Sequence, residues 1–171
     1  MKRLAILRHA KSSWDEPGLD DFNRPLNARG WKAARRMGRE LKQRGIKFDL
    51  VMSSTAARTR ETIDGVQEKY DFAAPIAFEP RLYGASEATL LELVRALDEA
   101  VKAPLIVGHN PGLEELIAEL TRDDGKGYRR RVVGKFPTGA LVIVELPARR
   151  WAEVAPGSGE IVELIVPKEL D

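Results

Sequence analysis

The chain contains no cysteine. Disulfides, thiolate nucleophiles and cysteine-based zinc sites are excluded, and with them cysteine-dependent phosphatases, proteases and redox enzymes. Histidine is almost as scarce, with two residues in 171, and aromatic residues make up only 6%. No apolar run approaches the roughly 18 residues of a membrane span. Met1 is followed almost at once by a core-strand candidate rather than by a leader segment. The expectation is a cytoplasmic protein with no membrane partner. No repeat, low-complexity tract or linker divides the chain, so a single domain over residues 1–171 is expected. That length suffices to bury roughly 70% of the unfolded surface around one core.

Net charge is small: 28 Lys and Arg against 26 Asp and Glu leave +2. The charge is unevenly spread. From Arg29 to Lys47, eight basic residues face Glu40 alone, and Lys126 to Lys135 carries Arg129, Arg130 and Arg131. Solvated helix faces and loops account for such runs, because Lys and Arg are good helix formers. A surface for anionic substrates or acidic partner proteins is the alternative. Neither run shows the aromatic interleaving of a nucleic-acid surface.

Short apolar runs alternate with helical periodicity. Leu4 to Leu7, Asp49 to Ser53, Ile76 to Phe78 and Leu105 to Val107 read as strands, with Ala140 to Leu146 and Ile161 to Val166 as late strands near a sheet edge. Trp31, Ala34, Met37, Gly38 and Leu41 recur at helical spacing between Arg29 and Arg44. A second helix is expected from Thr55 to about Lys69, with Ile63, Val66 and Tyr70 inward. A third is expected from Ser86, a plausible N-cap, to Val101, and a fourth carries Leu113, Leu116, Ile117 and Leu120. Strands separated by helices of this length predict an α/β layered fold with a largely parallel sheet. In such sheets ligands bind beyond the carboxyl ends of the strands.

Both histidines fall there. His9 closes the run Leu4-Ala5-Ile6-Leu7 and His109 closes Leu105-Ile106-Val107. Parallel pairing of the two runs brings both imidazoles to one edge. Arg8 precedes His9, and Arg58 follows the strand that ends near Ser53-Ser54. A metal site needs three or four ligands, and neighbouring arginines would repel the cation. Two histidines satisfied by backbone hydrogen bonds are the bland alternative. The set best suits a tetrahedral phosphoryl group, since arginine offers forked donors to its oxygens and a neutral histidine can attack phosphorus. Neither G-x-x-x-x-G-K-[ST] nor G-x-G-x-x-G occurs, so nucleotide-loop chemistry lacks its key feature.

Leu7-Arg8-His9-Ala10 resembles the Arg-His-Gly signature of the histidine phosphatase (phosphoglycerate mutase-like) superfamily, with Ala10 in place of glycine. Ser53-Ser54-Thr55-Ala56-Ala57-Arg58-Thr59 resembles its second motif, and Val107-Gly108-His109-Asn110-Pro111-Gly112 the segment bearing its second histidine. The string Arg8-His9-Ala10-Lys11-Ser12-Ser13-Trp14, with Arg24-Pro25-Leu26 and Arg29-Gly30, is similar to SixA-type phosphohistidine phosphatases. The likeness runs from Met1 to about Leu120. It implies a three-layer α/β/α sandwich and a phosphatase that works through a covalent phosphohistidine, without metal or cofactor. His9 would be the nucleophile, and Arg8, Arg58 and His109 would hold the phosphoryl oxygens. Ser12 and Asn110 are candidate pocket residues, although a turn hydroxyl and a turn former explain them equally well.

The general acid departs from the superfamily pattern. Larger members carry a glutamate after the third strand. Here Glu79 is one residue out of register if Tyr83-Gly84 is aligned, which leaves it a candidate acid beside the reading of an ordinary strand-end carboxylate. Absence of a secure acid favours activated leaving groups, because imidazole departs from a phosphohistidine far more readily than an alkoxide from an ester. The expected substrate is phosphohistidine on a protein, such as a phosphotransfer domain. A small-molecule phosphomonoesterase and a non-catalytic phosphate-binding module remain the rivals. Oligomeric state is left open.

Overall fold

The computed structural model describes residues 1–170. Six strands form one sheet in the order β3-β2-β4-β1-β5-β6. They are β1 (Lys2–Arg8), β2 (Leu50–Ser53), β3 (Ile76–Phe78), β4 (Pro104–Gly108), β5 (Leu141–Leu146) and β6 (Glu160–Ile165). The first four in spatial order run parallel, whereas β5 and β6 pair antiparallel. The helices between the parallel strands are α1 (Ala28–Arg44), α2 (Ala57–Gln67) and α3 (Glu87–Arg95); α4 (Gly112–Leu120) and the short α5 (Tyr128–Val132) precede β5. The result is a three-layer α/β/α arrangement.

Alternation along each strand divides the interior into two cores. Leu4, Ile6, Ile106, Val142 and Val144 face one side, where Leu90 and Val94 of α3 and Leu113, Leu116, Ile117 and Leu120 of α4 cover them. Ala5, Leu7, Leu105, Val107, Leu141 and Ile143 face the other, against Ala34, Met37 and Leu41 of α1 and Ile63 and Val66 of α2. Both faces of β4 are covered, so its sequence is continuously apolar rather than alternating. Each such fully buried Leu, Ile or Val contributes about 1.5–3 kcal/mol.

α1 starts where the Asn27 side chain accepts from Gly30 N (2.8 Å) and stops at Gly45, whose left-handed φ of 65° an L side chain would resist. Gly30 is dictated by packing, since a Cβ there would lie 2.1 Å from Lys11 O. The chain just beyond β1 is thereby pressed onto the first turn of α1.

Two expectations need correction. The third helix does begin after a Ser86 cap, but it ends at Arg95 rather than Val101. Asp98 accepts from Ala100 N (2.7 Å) and folds the chain into a turn, while Leu97 still packs on the core. The basic run at 126–135 is not simply solvated. It contains α5, and Arg129 reaches back to Thr121 Oγ1 (3.1 Å) and Ala118 O (3.0 Å) as Val132 and Phe136 enter the core. Among the described residues, no helix is long and apolar enough to cross a membrane.

Candidate active site

β1 and β4 are neighbours, with Arg8 in register with Gly108. Both chains leave the sheet at the same edge, and His9 N donates to Gly108 O (3.1 Å). The two imidazoles come to rest with centroids 5.3 Å apart. His9 is buried, and its Nδ1 lies 2.7 Å from Ala10 O. A carbonyl can only accept, so Nδ1 carries the proton and Nε2 keeps its lone pair. Ala10 N in turn donates to Thr62 Oγ1 (2.9 Å), which donates to Arg58 O (2.6 Å). The turn bearing His9 is thus tied to the helix bearing Arg58.

Burial is the main reason that the His9 pKa falls to about 3; His109, Arg58 and Arg8 depress it further, against the Ala10 carbonyl. His109 falls to about 4, again by burial first and Arg58 next. Both rings are neutral near pH 7. A neutral, oriented imidazole beside guanidinium groups has the chemistry to attack a bound anion.

Arg58 is buried at the start of α2. Its Nη1 donates to Asp21 O (2.7 Å) and its Nη2 to Asp21 Oδ2 (3.0 Å). Tyr83 donates its hydroxyl to the same Oδ2 (2.6 Å), and its ring stands edge-on to His109 at 5.5 Å. The Tyr83 hydrogen bond and the Arg58 guanidinium lower the Asp21 pKa to about 2. On the far side, Arg8 Nη1 donates to Phe136 O (3.0 Å) in the segment before β5. His109 Nε2 lies 2.7 Å from Ser54 Oγ, which also accepts from Ala56 N (3.2 Å). We assign the Ser54 hydroxyl as donor to Nε2, which puts the His109 proton on Nδ1.

Among the described residues, the buried side-chain nitrogens and oxygens without a partner are Arg8 Nε, Arg58 Nε and His109 Nδ1. Leaving a buried donor unmet costs about 1–3 kcal/mol. That all three belong to this one cluster marks a place where donor strength exceeds what the protein itself consumes.

The comparisons with known proteins agree with this geometry. The sequence profile of the histidine phosphatase superfamily (branch 1) matches residues 4–86. A SixA-type structure from Agrobacterium tumefaciens superposes with a TM-score of 0.81 at 30% identity, over 97% of this chain and 98% of that one. The chain belongs to the histidine phosphatase superfamily, in its SixA-type branch. An uncharacterized protein from Mycobacterium tuberculosis is 34% identical over 166 residues, 95% of this chain and 100% of its own length. The phosphohistidine phosphatase SixA of Escherichia coli is 26% identical over 120 residues, 69% of this chain and 73% of its own.

The remaining candidates of this histidine phosphatase are occupied elsewhere. Ser12 Oγ accepts from Arg24 Nη1 (2.6 Å), and Arg24 also holds Asp21 Oδ1 through Nε and Nη2 (both 3.2 Å). Asn110 spends its amide on Phe136 O (3.0 Å) and its oxygen on Glu114 N (3.3 Å). Both shape the walls, with the Ser12 hydroxyl hydrogen and the second Asn110 amide hydrogen still available as donors. Glu79 caps the turn after β3 by accepting from Arg81 N and Arg81 Nη2 (each 2.9 Å). Those bonds lower its pKa, the reverse of what a proton donor needs.

Asp21, Tyr83, Arg24, Ser54 and Thr62 complete the network; none of them is a candidate site residue from the sequence, although Arg24 and Ser54 stand within the motifs quoted above. Asp21 and Tyr83 sit in or beside short 3₁₀ turns that leave no periodic signal. Among the described residues, no group of three or more His, Asp or Glu is placed to hold a metal ion.

Proposed function

We propose that this phosphatase removes phosphoryl groups from phosphohistidine on proteins through a covalent phosphohistidine at His9, as one catalytic domain spanning residues 1–171. The observation that carries the reading is the pair of neutral histidines 5.3 Å apart, flanked by half-buried Arg8 and buried Arg58. His9 Nε2 forms a bond to phosphorus while the bond to the leaving nitrogen breaks and its electron pair goes to the substrate imidazole. Water then attacks the phosphoryl group on His9, releasing phosphate and restoring the free ring. Arg8, Arg58 and His109 Nδ1 donate to the oxygens, where charge spreads in a loose transition state.

The leaving group decides the substrate class. Asp21 is held ionised, Glu79 is engaged by Arg81, and the Tyr83 hydroxyl is already donated to Asp21. A site with no protonated carboxyl favours a substrate whose leaving group needs little protonation, and phosphohistidine is such a substrate. The E. coli relative bears the name of that activity.

The test compares kcat/KM for a panel of phosphohistidine proteins with that for small phosphate esters. Wild-type enzyme quenched in alkali should carry an acid-labile phosphoryl group at His9. Faster turnover of alkyl phosphates than of every phosphohistidine protein would favour the small-molecule phosphomonoesterase. Binding without turnover would leave a phosphate-binding module.

A further inference from the structure

A basic groove opens beside the candidate active site. Its volume is about 350 Å³, and Lys11, Arg29, Lys32, Arg36 and Lys168 line it with no carboxylate among the lining residues. None of the five takes part in an ion pair among the described residues, although eleven such pairs order charges elsewhere on the surface. Five unpaired cations in a chain of net charge +2 repel one another. A solvated helix face would more economically interleave the signs, as α1 does where Arg44 meets Glu40 (2.7 Å).

The groove has a direction. Lys11 lies two residues beyond His9, and Pro137, also in the lining, follows Phe136, whose carbonyl accepts from Arg8. Its near end therefore shares a wall with the site. Arg29, Lys32 and Arg36 follow at helical spacing along α1, which starts against the Lys11 backbone and runs toward the opposite sheet edge. Seven residues at about 1.5 Å each carry the stripe roughly 10 Å away. A second anionic group on a small substrate would engage Lys11 and Arg29 and leave the far cations idle.

On the loop that begins at Lys11, Trp14 is 76% exposed, stacked on the Arg24 guanidinium at 3.6 Å. Arg24 also binds Asp21, the partner of Arg58, so the ring belongs to the mouth of the site. An exposed, rigidly held indole is a typical anchor for a protein partner and has no use to inorganic anions.

We infer that the α1 stripe, with Lys11 and Lys168, is a docking surface for the acidic face of the protein that carries the phosphohistidine. This rests on the phosphohistidine-protein reading above. Complementary charge steers such a partner and sets its register, so that the phosphorylated imidazole is presented to His9.

The experiment uses the full chain and its Lys32→Glu/Arg36→Glu variant, at the far end of the stripe. One substrate is a histidine phosphotransfer domain with Asp and Glu around its histidine, charged with phosphoramidate. The other is N-phosphoimidazole. The variant should lose tenfold or more in kcat/KM on the domain, chiefly through KM, and stay within twofold on N-phosphoimidazole. Its rate on the domain should also depend less on salt. Trp14→Ala should lose several-fold in kcat/KM on the domain.

Unchanged rates on both substrates would overturn the docking surface and leave the phosphatase reading intact. Equal losses on both would overturn it too, by placing the charges' effect on the chemistry itself. Single-stranded RNA retained by wild type and released by the variant, with domain turnover unchanged, would make the stripe a nucleic-acid surface instead. Failure of wild type on every phosphohistidine protein, with N-phosphoimidazole still hydrolysed, would remove the underlying substrate reading, an outcome visible before any variant is made.

Discussion

At the carboxyl edge of the parallel strands, polar groups crowd together: two histidines, Arg8 and Arg58, Asp21 and Tyr83. At the amino edge, the loops before β2 and β3 enclose a cavity of about 640 Å³ walled by Phe48, Tyr70 and Phe72. Those rings pack tilted or edge-on at 5.3–6.4 Å, and Tyr70 donates its hydroxyl to Ile46 O (2.5 Å). Lys42, Lys47 and Lys69 line this cavity together with Glu68 and Asp71, but no histidine or arginine does. The histidine site holds buried donors that are partly unmet. Volume alone does not identify chemistry; the cost of unsatisfied and uncharged groups does. One edge is built for reactivity and the other for packing, so substitutions at the two should separate rate from stability.

The largest separation should come from His9→Ala, which removes the proposed nucleophile. A loss on the order of 10⁴–10⁶-fold in kcat is expected, as for other covalent catalysts stripped of their attacking group. Initial rates and alkaline-quench labelling test it. Activity retained within tenfold, or a label at another residue, would break the assignment.

At the opposite edge, Phe72→Ala should cost about 3–5 kcal/mol of stability, because a buried ring leaves a void beside two others. Urea unfolding should report that loss while kcat stays near wild type. A rate loss matching the stability loss would mean that the two edges are coupled. Arg58→Ala should reverse the pattern, with a 10²–10³-fold loss of kcat, the cost of one preorganised donor to a developing anion. Arg58→Lys should restore little, since an ammonium cannot reproduce the fork that also holds Asp21.

The pH dependence sharpens the comparison. In the unfolded chain both histidines titrate near 6.5; folded, they do so at about 3 and about 4. The unfolded chain therefore takes up protons that the native state refuses. Their contribution is fully present above about pH 6.5 and is lost as pH falls toward the folded values, at up to about 1.4 kcal/mol per pH unit for each ring. Unfolding of wild type and His9→Gln at pH 5 and pH 7 should show the variant losing less between the two. The wild-type rate should show no acid limb near 6.5 if His9 is the nucleophile, because its ring stays neutral well below that pH.

How much of this can be read from the chain differs between groups. His9 and His109 are legible because each closes an apolar run, and parallel pairing of two such runs must bring their ends together. Arg8 and Arg58 follow from the same logic. Asp21 and Tyr83 are not, since they reach the site through turns whose course is set by long-range bonds such as the Ser12–Leu26 bridge. Periodicity found α3 but not its end, because a side-chain turn at Asp98 overrides the apolar spacing of Leu97 and Val101. The arginines of α5 resemble a solvated run until tertiary structure supplies Thr121 and the Ala118 carbonyl as partners.

The smallest effect concerns Glu79. In larger relatives a glutamate after the third strand supplies the proton, and position alone makes Glu79 a candidate. Its carboxylate is instead bonded to Arg81, which holds its pKa below the usual range. Glu79→Gln should change kcat on N-phosphoimidazole by less than about twofold, since removing an uninvolved surface carboxylate shifts stability by no more than about 0.5 kcal/mol. Across a series of aryl phosphates, wild type and variant should share one steep dependence on leaving-group pKa, because neither donates a proton to the departing oxygen. A flat dependence in wild type that becomes steep in the variant would show Glu79 swinging from Arg81 to act as the acid. The reactive edge would then extend to β3, and alkyl phosphate esters would become competent substrates.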